Sequence, residues 1–269
     1  MALAGAMTVS AEGPAAVMSS DSPHYRQALA GFLEAWGSSV PVVAPGRSLP
    51  PEAWAFAAIG SKAAARRWPR DAVVVACLAP SVVSDPDDAV TRVSLLPAPE
   101  ALVARMRALV PNLWVLRIFW SSESSRVDTE ALVWAGERQG LVVLSERVTP
   151  ASRLPGYLRS LRGKADALWL MPDPALVTEE NFAILREYAA AREIPLLAPT
   201  EGLAERGATA TIAASYRAMG RAAALSLRAR LAGRTEPEIV YPRGATVTAN
   251  GPAARAVGLK LESANKVLP

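Results

Sequence analysis

Between Asp166 and Gly233 the chain reads DALWLMPDPALVTEENFAILREYAAAREIPLLAPTEGLAERGATATIAASYRAMGRAAALSLRARLAG. Three short apolar runs stand in it: ALWLM (167–171), PLLA (195–198) and ATATIA (208–213). Each is nearly continuous in hydrophobic character, as a strand covered on both faces should be. Two longer segments of helical period accompany them. Thr178 stands where it can cap EENFAILREYAAARE, and Ser215 where it can cap YRAMGRAAALSLRARLAG, which Gly233 ends. Strand–helix alternation of this kind predicts a mostly parallel, doubly wound α/β sheet.

The same alternation extends upstream. Apolar runs recur at AAVMS (15–19), VPVV (40–43), WAFAAI (54–59), AVVVAC (72–77), TRVSLL (91–96), LWVLRIFW (113–120) and LVVLSE (141–146). Ser22 and Pro23 open a helix with a cap and a proline at its first position. Tyr25, Leu29, Phe32, Leu33 and Trp36 form its apolar stripe. About ten strands exceed the usual sheet, and they divide near Pro97, Ala98 and Pro99, which predicts two sheets of roughly five to six strands. After Gly233, VYPRGATVTAN (240–250) reads as the chain returning to a sheet already built, with a short helix around AARAVG beyond it.

Composition narrows the function. The 269 residues are 51% hydrophobic and 20% charged, with a mean hydropathy of +0.18, which excludes a disordered chain. The longest wholly apolar stretch, Ala72 to Pro80, is about half the roughly 20 residues needed to span a bilayer. One cysteine, Cys77, excludes an internal disulfide and a cysteine-based zinc site. Cys77 lies inside an apolar run and reads as a small buried hydrophobe. One histidine, His24, leaves little room for histidine-dependent catalysis; it is placed in the first turn of its helix, exposed. The net charge is +4, but the arginines are scattered, densest at Arg66, Arg67 and Arg70, so a nucleic-acid partner is not expected. The segment MALAGAMTVSAEG lacks the basic and long apolar parts of an intact signal peptide, although its small residues resemble the end of one.

Catalytic motifs fail in turn. Ile59 to Lys62 forms a strand-to-helix turn without the phosphate-loop frame. No G-x-S-x-G elbow is present, and the serine-rich stretch 121–125 is far in sequence from His24. Asp85, Asp87 and Asp88 read as a solvated loop, and Glu179 and Glu180 as the acidic start of a helix. What carries function is position, because ligands of doubly wound sheets bind outside the carboxyl ends of the strands. Small hydroxyls dominate those ends, with few acids and one large aromatic, which suggests a largely apolar pocket with a few hydrogen-bonding groups.

In order and spacing, VMSSDSPHYRQALAGF (17–32), AIGSKAA (58–64), SLLPAPEALVARMRALVPNLWVLRIFWSSES (94–124) and the 166–233 run resemble the extracytoplasmic solute-binding proteins of ABC transporters. The resemblance is closest to the family that includes tryptophan- and tyrosine-type binding proteins, and it covers nearly all of 15–260. It implies a type I periplasmic-binding-protein fold, two α/β lobes joined by a hinge with the ligand between them. Carried onto this chain, lobe one is 14–97 and 211–236, lobe two is 98–210 and 237–269, and 1–13 is a flexible amino-terminal segment. The implied ligand-binding residues are Ser20, Asp21, Tyr25, Gly60, Ser61 and Ser81 from lobe one, with Trp120, Ser121, Asp173 and Glu201 from lobe two. No catalytic residue, metal or cofactor is implied.

Cys77 to Pro80 and Phe119 to Ser121 are more apolar than an amino-acid site requires, and no arginine stands out as an anchor for a carboxylate. The expected function is therefore capture of a small, largely apolar molecule by hinge closure and its delivery to membrane transporter components. A sterol or other lipid, an aromatic amino acid, and a sensing role for a membrane partner are the alternatives. A DNA-binding repressor is not among them, since 14 residues before the first strand cannot hold a helix-turn-helix. The expected protein is a periplasmic or otherwise extracytoplasmic monomer whose signal peptide is absent from this chain.

Overall fold

The computed structural model describes residues 13–83 and 90–269. Residues 1–12 of the amino-terminal segment, and Asp85, Asp87 and Asp88, lie outside the described residues. The first part of the chain runs β1 (Ala15–Met18), α1 (Pro23–Trp36), β2 (Val42–Val43), β3 (Ala55–Ile59), α2 (Ser61–Ala64), β4 (Val73–Cys77) and β5 (Val90–Val93). Next come α3 (Pro99–Leu109), β6 (Val115–Trp120), α4 (Arg126–Arg138), β7 (Val142–Arg147), α5 (Leu154–Ser160), β8 (Ala167–Leu170), α6 (Glu179–Ala191) and β9 (Leu196–Ala198). The remainder is α7 (Gly202–Glu205), β10 (Ala210–Ala213), α8 (Tyr216–Leu231), β11 (Ile239–Val240), β12 (Thr246–Asn250), α9 (Gly251–Ala256) and β13 (Lys266–Leu268).

Two sheets result. The first has six parallel strands in the order β11-β5-β4-β3-β1-β2, and the second seven in the order β13-β12-β10-β9-β8-β6-β7. Among the described residues only the β10–β12 pair is antiparallel. All ten apolar runs read from the sequence are strands. Alternate residues feed opposite faces. Ala16, Met18, Ala57, Ile59, Val75 and Cys77 join an apolar layer with α1 and α8, while Val17, Phe56, Ala58, Val74 and Ala76 join the layer behind them. In the second sheet Leu116, Ile118 and Trp169 pack with α3 and α4, and Phe119, Leu168 and Leu170 with α5 and α6.

Three features differ from the sequence reading. The 240–250 segment is two strands in different sheets, β11 in the first and β12 in the second. Pro242 has no amide to donate and Gly244 turns at φ +86°, so one continuous strand cannot pass through them. The strand β7 is not covered on both faces. It is the outer edge of its sheet, where Val142 is 54% exposed and Glu146 pairs with the buried Arg117 of β6. The exposed edge strand β13 carries too weak a local pattern to be read in advance.

The chain passes between the sheets at 94–98, 214–215 and 241–245. A division after residue 210 would split β10, which belongs whole to the second sheet, and one after 236 would put β11 on the wrong side of the passage. Each sheet with its helices forms one lobe, and the three passages together are the hinge.

Candidate ligand-binding cleft

On the first lobe the residues expected at a ligand gather around a tight turn. Chain leaving β1 places Ser19 so that its Oγ accepts from the Ala63 N–H at 2.9 Å, using a free amide of the short α2. Gly60, buried at the end of β3, holds φ +95°, and a Cβ there would lie 2.5 Å from Ser19 Oγ and 2.7 Å from Tyr25 Cζ. The Tyr25 ring thus lies on a backbone that only glycine can supply. His24, exposed on α1, meets Tyr25 edge-on at 4.3 Å between centroids and Tyr216 of α8 at 5.7 Å, a three-ring group. Ser61 begins α2 half-buried, while Ser20 and Ser81 are exposed. Asp21 is exposed and paired with Arg26 at 3.0 Å.

On the second lobe Asp173 is fully buried after β8, with backbone amides and the Ser122 and Ser125 hydroxyls around its carboxylate. Oδ2 accepts from the Ser121 and Ser122 amides at 2.8 and 2.6 Å. Oδ1 accepts from the Ser122 hydroxyl at 2.8 Å and from the Ala175 and Leu176 amides at 2.9 and 3.0 Å. Burial raises its pKa, but hydrogen bonds from the Ser121 and Ser122 amides and the serine hydroxyls outweigh burial and hold it below the usual carboxylate range. Asp173 therefore ties the loop after β6 to the loop after β8, and its lone pairs are spent on the protein. Beside it Trp120 is half-buried, its Nε1 donating to Ser145 Oγ at 3.1 Å and its ring facing the Arg147 guanidinium at 4.9 Å.

Between the lobes lies a cavity of about 350 Å³. Gln27, Tyr216 and Met219 reach it from the first lobe, and Pro199, Thr200, Glu201, Glu205, Thr246 and Thr248 from the second. Leu95, Ala213 and the 214–215 passage complete it at the hinge. Of the ten residues expected at a ligand, the structure puts Glu201 in this lining, where Lys266 pairs with it at 3.1 Å. Tyr25 and Gly60 come together on one lobe, and Ser121 and Asp173 on the other. The sequence reading missed Gln27, Ser215, Tyr216, Thr246 and Thr248. Ser215 carried a signal, a helix cap directly after a strand end, and it does accept from the Ala218 amide at 3.1 Å. The β12 threonines carried none, because their place depends on antiparallel pairing with β10.

A buried polar group crosses the hinge. Arg92 of β5 pairs with Asp128 of α4 at 2.9 Å, with side chains only 5% and 3% exposed. Ser94 Oγ donates to the other Asp128 oxygen at 2.9 Å, and Arg92 also donates to the Ser124 carbonyl. The Tyr241 hydroxyl joins from the third passage; burial and the Asp128 carboxylate push its pKa well above the ordinary tyrosine value, so it stays a donor. Among the described residues no group of three or more His, Cys, Asp or Glu side chains is placed to hold a metal ion.

The family described as ABC transporter substrate binding protein matches residues 72–258. The chain belongs to that family. Its fold is that of the type I periplasmic-binding proteins, in agreement with three solved structures. A ligand-free, open substrate-binding protein with adhesive properties from Clostridium difficile is 18% identical over 94% of this chain and 98% of its own, with a TM-score of 0.64. An ABC domain from Streptococcus pneumoniae in complex with L-Trp is 16% identical over 95% and 99%, with a TM-score of 0.61. A conserved domain protein from Vibrio cholerae is 16% identical over 96% and 100%, with a TM-score of 0.60. No curated protein matches the chain. ABC substrate-binding proteins take small-molecule ligands, act with membrane transporter components and are generally extracytoplasmic. No helix among the described residues is long and apolar enough to cross a membrane.

Proposed function

We propose that this substrate-binding protein captures a small, largely apolar molecule in the cavity between its lobes and, on hinge closure, presents it to a transport system. The observation that carries this reading is the lining of the 350 Å³ cavity, which comes from both lobes and from two of the hinge passages. A ligand there touches both sides and so favours the closed state by its differential contacts. The lining supplies Thr, Ser, Tyr and Gln groups for one polar end, and its only charged residues are Glu201 and Glu205. Among the described lining residues none is basic, and the neighbouring Lys266 is already paired with Glu201, so the lining offers a carboxylate no unpaired cation. The volume is at the small end for organic ligands, which favours a compact molecule over a sterol or other lipid.

A second reading, an aromatic amino acid, is favoured by the amino end of α8, which opens on the cavity at Ser215 and Tyr216 and would receive a carboxylate. The structural neighbour crystallised with L-Trp is in keeping with it. Calorimetric titration with indole and with tryptophan separates the two. Binding of indole with little gain from the amino-acid group supports the apolar reading, and tryptophan binding without indole binding replaces it with the second. A lipid that co-purifies and resists exchange in native mass spectrometry would overturn both.

A further inference from the structure

A groove of about 650 Å³ runs along α8 on the far side of Ser215 from the ligand cavity. Its floor is an apolar stripe, Ala218, Ala222, Leu225 and Ala229, at the 4-3-4 spacing of a helix-packing seam. Leu225 is 51% exposed and Ala218 and Ala229 are half-buried, while Ala222, 8% exposed, and the other apolar residues of α8 pack against α1 and the first sheet. The facing wall is the return segment 234–243. Arg217 and Arg221 on the helix side, with Arg234 and Arg243 on the other, set four guanidiniums around the stripe, against one lining carboxylate, Glu236. Glu34 serves both Arg217 and Arg221, at 2.6 and 3.3 Å, whereas Arg234 and Arg243 are exposed and make no ion pair among the described residues. The fold also leaves a polar group over at this floor, since Ser226 is 2% exposed and its Oγ has no hydrogen-bond partner.

We propose that this groove docks an acidic amphipathic helix of a partner protein, which lays an apolar face on the α8 stripe and carboxylates on the arginine rims. Shape selects a helix over a membrane, because the basic groups line a concave trough with two walls, where a flat bilayer surface would meet only the rims. Charge selects an acidic segment, and the seam spacing selects one with apolar residues every third or fourth position. The groove also touches the hinge. Ser215 belongs to the second passage and lines the ligand cavity, and Tyr241 belongs to the third and bonds to Asp128. A helix seated here therefore contacts two of the three segments that must move when the lobes close.

The probe is a labelled helical peptide of about 18 residues, long enough to cover α8, with leucines at seam spacing and flanking glutamates. A scrambled peptide of the same composition is the control, and anisotropy is read at low and high salt. The docking site requires wild type to bind the amphipathic peptide at least roughly tenfold more tightly than the scrambled one, with binding weakened by salt. It also requires at least a roughly tenfold loss in Leu225→Glu and in the pair Arg234→Glu with Arg243→Glu, both changes lying on exposed side chains. Equal binding of the two peptides, or variants that bind as wild type does, would overturn the proposal. So would an arginine-dependent affinity for phosphatidylglycerol vesicles without peptide binding, or a Leu225-dependent dimer in sedimentation. The cavity ligand is not used, so failure of the transport reading leaves this outcome unchanged.

Discussion

Asp173 and Trp120 show how single side chains hold the ends of β6 and β8 in place. The Asp173 carboxylate is spent on protein hydrogen bonds, so its part is to hold Ser121 and Ser122 in place. Asp173→Asn offers an amide nitrogen where an oxygen now accepts, and it should cost about 2–4 kcal/mol in urea denaturation, the range for losing bonds to a buried charge. The acid dependence follows from the sign of the shift. A folded pKa below 3.8 means that this contribution is complete above the unfolded value and is lost as pH falls through the lower folded one. Wild type should therefore lose more stability than Asp173→Asn as pH drops below about 4. Trp120 is half-exposed, and its bonds to Ser145 and Arg147 fix the ring as a flat wall at the end of β6. Tyr216→Ala is expected to weaken an aromatic cavity ligand roughly tenfold by titration calorimetry, whereas Trp120→Ala, outside the cavity lining, should leave that affinity nearly unchanged.

Close helix packing makes α1 and α8 the most tightly matched pair of elements. A Cβ on Gly31 would lie 2.0 Å from the Arg217 carbonyl oxygen, and one on Gly220 would lie 1.8 Å from that of Ala28. Both obstacles are backbone, so no rotamer change can relieve them. Gly220→Ala must push the helices apart along their whole contact, and it should cost more than the roughly 1–3 kcal/mol of ordinary overpacking. Thermal unfolding followed by circular dichroism measures it, with Gly233→Ala, where a Cβ meets nothing within 4 Å, testing the separate cost of a positive φ. Such tight packing helps explain why α8 can leave one face bare. Its hold on the first lobe comes from the α1 seam and the sheet, and the Leu225 side is not needed for it.

At the scale of the molecule, the Arg92–Asp128 pair is the polar tie between lobes. Replacing Asp128 with alanine strands a buried guanidinium and should cost about 3–5 kcal/mol by chemical denaturation, whereas Ser94→Ala should cost about 1 kcal/mol. Equal effects of the two would show that the ion pair contributes no more than a neutral hydrogen bond. The two-sheet architecture was legible in advance because parallel strands buried on both faces must be continuous apolar runs, and all ten such runs are strands. The capping serine at 215 and threonine at 178 likewise act locally, each accepting from an amide three residues on. Local chemistry does not encode which distant segments meet. The split of 240–250 between two sheets, the seating of Thr246 and Thr248 opposite Gln27 in the cavity, and the placing of Asp128 on Arg92 all depend on pairing across the hinge. Local apolar pattern and capping thus dictated the elements, and the family was legible only as a resemblance of ordered segments. Only the packed chain placed the cavity at the hinge and turned Asp173 inward, since burial and hydrogen-bond partners are set by neighbours far away in sequence.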